Sequence, residues 1–340
     1  MFVVSSLAAR CTFEYYLAAR CGPSRSRPAR LILSRFESHW RTIADPRSDT
    51  DTVLTTTSPR TCHFSGLSPH GFHRVVYYEW GAHDNPEVVV CVHGIGRNGR
   101  DFDVLGEALA PTHRVLAIDM PGRGQSEWLR DPMDYVFPVY LGTLTALIAA
   151  SGAEQVSWIG TSMGGLHGMV AAAQPGTPVK RLVVNDVGPV IEAAALARIG
   201  QYFGTDPRFA TYAELDAYVR QISAPFGPLT DAQWEHVVRT NARQHADGTW
   251  GVGYDPGIAV PFRAAAGTGA DLWPQWDAIR CPTLVLRGEH SDLLSRATAN
   301  AMAARGPRGR VVEIPGVGHA PMLLADEQVA AVVEFLRSPV

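Results

Sequence analysis

The chain is nearly without lysine and has few cysteines. Lys180 is the only lysine in 340 residues, and arginine supplies the rest of the 30 basic side chains. Against 33 acidic residues the formal net charge is −3. A basic excess of the kind that binds nucleic acid is therefore missing. The five cysteines (Cys11, Cys21, Cys62, Cys91 and Cys281) are an odd number, widely spaced and without a Cys-x-x-Cys pair. That pattern argues against a disulfide framework or a zinc site and fits a reducing cytoplasm. No apolar run reaches the 18 residues that a membrane-spanning helix needs. Internal repeats and low-complexity tracts are also lacking. What is there, 46% hydrophobic and 19% charged residues, is the composition of a globular protein with a sizeable core.

Residues 1–60 differ from the rest. They are rich in Arg and Ser, poorer in acids, and carry no strand pattern. The expectation is a poorly ordered N-terminal extension, or a start assigned too far upstream, ahead of one domain over 61–340.

From about Cys62 strands and helices alternate. The almost wholly apolar run Glu87–Val92 reads as a central parallel strand covered on both faces, and Arg114–Ile118, Val156–Ile159, Arg181–Val184, Thr283–Leu286 and Val311–Ile314 read as further strands. Helical stretches lie between them, at Asp101–Ala110, Val136–Ala150 and Met163–Ala173, and Glu327–Leu336 closes the chain. Such alternation predicts βαβ units in a parallel sheet. Chemistry then belongs in the turns beyond the carboxyl ends of the strands. Between about 189 and 278 the alternation breaks into helical stretches and a Gly-, Trp- and Pro-rich loop, as a lid over those strand ends would.

Gly160-Thr161-Ser162-Met163-Gly164 is a strand, a sharp turn and a helix start. Gly-x-Ser-x-Gly places a serine on a strained strand-to-helix turn, where the helix N-terminus favours negative charge. Ser162 is thus the candidate nucleophile. After an earlier strand comes His93-Gly94-Ile95-Gly96. There the backbone N–H of Ile95, with that of Met163, forms a candidate oxyanion hole, one such donor being worth about 2.7–4 kcal/mol in a transition state. His93 reads as a brace for that loop. A serine needs a base, and the base an orienting carboxylate. His319, in the glycine-bearing loop after the last strand, is the base. Asp292, in the turn after Thr283–Leu286, is the chosen acid, with Glu289 and Asp186 as rivals. His290 precedes Asp292 and inverts the expected order; His167 reads as a packing residue.

Together these motifs, with Asp119-Met120-Pro121-Gly122-Arg123-Gly124-Gln125-Ser126, resemble the α/β-hydrolase superfamily in its lidded serine esterase-like branch. The resemblance covers about Cys62 to Val340. It implies an α/β-hydrolase fold, with a mostly parallel eight-stranded sheet flanked by helices and a helical lid at about 189–278. It also implies a Ser162–Asp292–His319 triad, no cofactor and no metal. The Asp119–Ser126 turn is expected to be structural. A serine nucleophile disfavours haloalkane dehalogenases and epoxide hydrolases. The expected reaction is hydrolysis of a small-molecule carboxylic ester, of small or medium acyl length, through an acyl-enzyme; hydroxyalkanoate oligomers are one candidate substrate, to which no residue of the chain points. The alternatives are carbon–carbon cleavage of meta-cleavage-type diketo acids, a cofactor-free perhydrolase, and a non-catalytic ligand receptor.

Overall fold

The computed structural model describes residues 58–191, 193–264 and 271–338. The expectation for the N-terminal extension falls almost wholly outside them. The first described element is a strand that the sequence pattern did not reveal, β1 (Arg60–Ser68), antiparallel to β2 (Gly71–Trp80). It is an edge strand with mostly exposed or half-buried residues, so it lacks the apolar run that betrays a buried strand.

Then follow β3 (Val88–Val92), α1 (Asp103–Leu109), β4 (Arg114–Asp119), α2 (Phe137–Ser151), β5 (Val156–Thr161), α3 (Met163–Ala172) and β6 (Val179–Asn185). The segment 186–282 carries α4 (Ala193–Tyr202), α5 (Tyr212–Ile222), α6 (Asp231–Asn241), a small hairpin of β7 (Ala242–Gln244) and β8 (Trp250–Val252), α7 (Ala259–Ala264) and α8 (Trp273–Ala278). The chain ends with β9 (Thr283–Gly288), α9 (Arg296–Ala304), β10 (Arg310–Ile314) and α10 (Asp326–Arg337).

Eight strands form one sheet in the order β1-β2-β4-β3-β5-β6-β9-β10. Only β2 runs against its neighbours; the pairs from β4 to β10 are parallel. Successive strand residues point to opposite faces, so the continuous apolar runs feed two cores. Val88, Val90, Val92, Trp158 and Val184 pack on one face with α2 and α3 residues such as Leu144 and Met169. Val89, Cys91, Ile159 and Val183 pack on the other with Leu105 and Leu109 of α1 and Val332 and Phe335 of α10.

The helices of the insertion begin where local chemistry starts them. Thr211 with Glu214, and Thr230 with Gln233, form reciprocal capping boxes at α5 and α6, each satisfying backbone N–H groups that a helix start leaves free. Leu215, Val219, Val237 and Val238 then bury themselves in the first core. The insertion thus shares a hydrophobic core with the sheet's α2–α3 side. No helix among the described residues is long and apolar enough to cross a membrane.

Candidate active site

Ser162 stands between β5 and α3 with φ 52° and ψ −113°. A non-glycine residue at positive φ is strained and persists only where its surroundings hold it there. Here its N–H donates to Asn185 O on the adjacent strand end (2.9 Å). The flanking glycines allow α3 to crowd the sheet. A Cβ on Gly164 would lie 2.0 Å from Val92 O, and one on Gly160 would lie 2.2 Å from Gly164 O.

Ser162 Oγ lies 3.0 Å from His319 Nε2, and His319 Nδ1–H donates to Asp186 Oδ2 at 2.8 Å. The structure therefore brings together two of the three expected side chains and replaces the third. Asp292 is not bonded to His319. Its carboxylate takes a two-point contact from Arg198 of α4, Nε to Oδ2 at 2.6 Å and Nη2 to Oδ1 at 3.0 Å. Burial alone would raise the Asp292 carboxyl, but Arg198 outweighs it and leaves it below the usual carboxylate range. Asp292 is also 45% exposed, whereas Asp186 is fully buried at the end of β6. There Asp186 Oδ1 accepts from Gly288 N–H (2.9 Å), and Oδ2 accepts from Ser291 Oγ–H (2.7 Å) as well as from His319. The turn after β9 thus supplies donors that fix the acid rather than the acid itself. Glu289, the other rival, faces outward and accepts from Gly316 N–H (2.9 Å).

Asn185, next to Asp186, also went unread in the sequence. Its Nδ2 donates to Thr161 Oγ1 (3.0 Å) and Pro321 O (2.8 Å). It ties the residue before the serine to the loop that carries His319.

The loop after β3 lies over the serine, since a Cβ on Gly94 would stand 3.7 Å from Ser162 Cβ. Gly94 O accepts from His93 Nδ1–H (2.6 Å) and from Arg97 N–H (3.1 Å). His93 Nε2 in turn accepts from Met120 N–H (3.0 Å). Those two bonds define a neutral tautomer, and burial drives the His93 imidazole down to about 3. His93 braces the peptide whose N–H belongs to Ile95. Neither Ile95 N–H nor Met163 N–H has an acceptor among the described residues. His167 packs as expected, stacked on Phe137 at 4.1 Å with Nδ1–H donating to Met163 O.

A cavity of about 110 Å³ opens above Ser162 and His319. Its floor is the 94–97 loop and the His319 loop, and its walls are largely Ile199 and Tyr202 of α4, Phe203 in the turn after it, and Phe226, Val252 and Tyr254 further along the insertion. Arg198 also lines it. Among the described residues, no group of three or more His, Cys, Asp or Glu side chains is placed to hold a metal ion.

Comparison with known proteins gives the family and the fold. The model of the alpha/beta hydrolase family matches residues 89–333. A 3-hydroxybutyrate-oligomer hydrolase of Cupriavidus necator is 46% identical over 286 residues, 82% of this chain and 98% of the relative. A pimeloyl-acyl-carrier-protein methyl ester esterase of Xanthomonas campestris is 28% identical over 71% of this chain and 91% of its own length. The crystal structure of an alpha/beta hydrolase from Novosphingobium aromaticivorans matches with a TM-score of 0.74 at 37% identity, covering 82% of this chain and 98% of that one.

Proposed function

The chain belongs to the alpha/beta hydrolase family and is a hydrolase of esters, and on that premise we propose that it cleaves short 3-hydroxyalkanoate oligomers by way of an acyl-enzyme on Ser162. The observation that carries the reading is the continuous hydrogen-bond chain Ser162–His319–Asp186 at the floor of a mostly apolar cavity. The substrate class follows the 46% identical relative, which acts on 3-hydroxybutyrate oligomers. Arg198 in the cavity wall is paired with Asp292 through Nε and Nη2, which leaves its Nη1 to meet the free carboxylate that every such oligomer carries.

In the mechanism, Ser162 Oγ attacks the ester carbonyl carbon as its proton passes to His319 Nε2. Asp186 holds the imidazole in the tautomer that accepts at Nε2 and stabilises the cation that forms. The carbonyl's π electrons move to oxygen, where the Ile95 and Met163 N–H groups receive them. Collapse of the tetrahedral intermediate expels the alkoxide of the departing hydroxyacid, protonated by His319. Water, activated by the same imidazole, then releases the acyl group. The segment 189–278 serves as the lid that walls the acyl pocket, and the cytoplasm is the compartment that the cysteine pattern fits.

The test is a panel of p-nitrophenyl esters from acetate to dodecanoate run beside 3-hydroxybutyrate dimer and trimer and a dienoate ring-fission product. The expected result is turnover of the oligomers and of short esters, falling steeply beyond the chain length the cavity holds, and its loss in Ser162→Ala. Turnover of the ring-fission product with negligible ester cleavage would overturn it.

A further inference from the structure

Arg123 is the feature that the triad does not account for. It sits in the turn after β4, and the side chain is fully buried. Among the described residues no carboxylate comes within ion-pair distance of it. A buried guanidinium left without a counter-charge is costly unless neutral acceptors saturate it. Neutral oxygen acceptors meet three of its five N–H groups: Nε donates to Ile95 O (2.9 Å), and Nη1 donates to Pro121 O and to Tyr140 Oη (both 2.7 Å). Nη2 meets Met163 Sδ at 3.7 Å. The Tyr140 and Tyr135 rings lie 5.0 and 5.8 Å from the guanidinium carbon.

Two of those partners, Ile95 and Met163, are the residues whose N–H groups face the reacting carbonyl on the reading above. We infer that Arg123 is a positioning residue for the oxyanion hole, fixing the Ile95–Gly96 peptide that follows the Ile95 N–H and placing a positive charge, which no carboxylate touches directly and whose nearest acid in this network is Asp255 on Tyr135 Oη, where it favours the tetrahedral oxyanion over the neutral ester. The inference rests on Ser162 being the nucleophile. When Oγ bonds to the carbonyl carbon and its proton moves to His319, a full negative charge appears on the carbonyl oxygen. A fixed cation in a water-poor surrounding interacts with that charge far more than with the ground-state dipole. Its desolvation is met once, in folding, not at each turnover.

Two buried histidines register the same field from different elements. Burial is the main cause that lowers His93, on the oxyanion loop, and Arg123 lowers it further. Burial likewise lowers His167 of α3 to about 4; its bond to Met163 O opposes this and Arg123 adds to it. Arg123 thus makes protonation of its neighbours unfavourable, the complement of favouring an anion beside them.

The experiment compares Arg123→Met and Arg123→Lys with the wild type in three measurements: p-nitrophenyl butyrate kinetics, the inhibition constant of butylboronic acid, and the inhibition constant of butyramide. The boronate takes Ser162 Oγ into an anionic tetrahedral adduct, while the amide is a neutral ground-state ligand. In Arg123→Met, kcat and boronate affinity should each fall roughly 10- to 100-fold, less than loss of a direct oxyanion donor, with KM and amide affinity within about twofold. Arg123→Lys keeps the charge but loses the Nε bond to Ile95 O, and should show a smaller loss confined to the same two quantities. Where Arg123→Met does not fold, the lysine variant alone decides. Selective loss toward the boronate supports the inference; equal weakening of both ligands, or no loss, overturns it. Labelling of wild-type Ser162 by a fluorophosphonate, run alongside, shows separately whether the nucleophile assignment stands.

Discussion

His319 donates from Nδ1 to Asp186 Oδ2 over 2.8 Å, while the acid in the next turn of the sheet, Asp292, is occupied by Arg198. Two carboxylates near one histidine therefore have separate work. Asp186 is buried and accepts three hydrogen bonds, which hold it rigid. Asp292 is partly exposed and tied to the insertion.

Asp186→Asn should lower kcat on p-nitrophenyl butyrate by about 10⁴-fold, because the amide favours the wrong imidazole tautomer. Asp292→Asn breaks a half-exposed ion pair and should cost less than about tenfold. Steady-state kinetics of the two variants check this. The reverse ranking would restore Asp292 as the orienting acid.

The difference in legibility between these two acids is physical. The serine turn is written in local spacing, since Gly160 and Gly164 are required wherever a helix meets a strand this closely. The inner parallel strands β3, β4, β5, β6 and β9 are legible because burial on both faces leaves nearly unbroken apolar runs. The acid is not written locally. Asp186, Glu289 and Asp292 all follow strands and all precede His319 in the chain. Only the packing, with β6 beside β5 and the Gly288–Ser291 turn folded over Asp186, separates them. Arg123 was hidden for a similar reason, since its turn reads as structural and its contacts with Ile95 and Met163 are long-range. Three helices of the insertion were legible as helical stretches, α4 to α6; the short α7 and α8, six residues each, and the β7–β8 hairpin, whose strands are three residues each, were not.

Arg198 offers a test of substrate charge. Arg198→Gln should raise KM for the free acid of 3-hydroxybutyrate trimer by roughly tenfold, the scale of one charge-assisted hydrogen bond. KM for the trimer methyl ester should barely move. Parallel changes for acid and ester would mean that Arg198 shapes the wall without reading the carboxylate.

Gly164→Ala tests the close approach beneath Ser162. Its new Cβ would fall 2.0 Å from Val92 O, a backbone atom of a central strand with no room to retreat. The expected cost is about 3 kcal/mol of stability, which for a domain of this size lowers Tm by roughly 6–12 °C. Thermal unfolding followed by circular dichroism measures it. An unchanged Tm would mean that α3 is free to shift away from β3.

The pH dependence of stability follows from His93 and His167. Both are lowered in the folded state, to about 3 and about 4, by burial first and by Arg123 in addition. The unfolded chain therefore binds protons at these positions from about pH 6.5 downward, where the folded chain does not. Their contribution to stability is fully present above that pH and is lost as pH falls toward 4 and then 3. Wild-type Tm should thus decline from about pH 6.5 downward. His167→Gln removes one titrating group while leaving the catalytic residues in place. Its Tm should be lower at pH 7.5, where the imidazole packs on Phe137, and should decline less steeply between pH 6.5 and 4.5. Tm measured at half-unit steps for both proteins gives the two slopes, and equal slopes would show that His167 is not a source of the acid sensitivity.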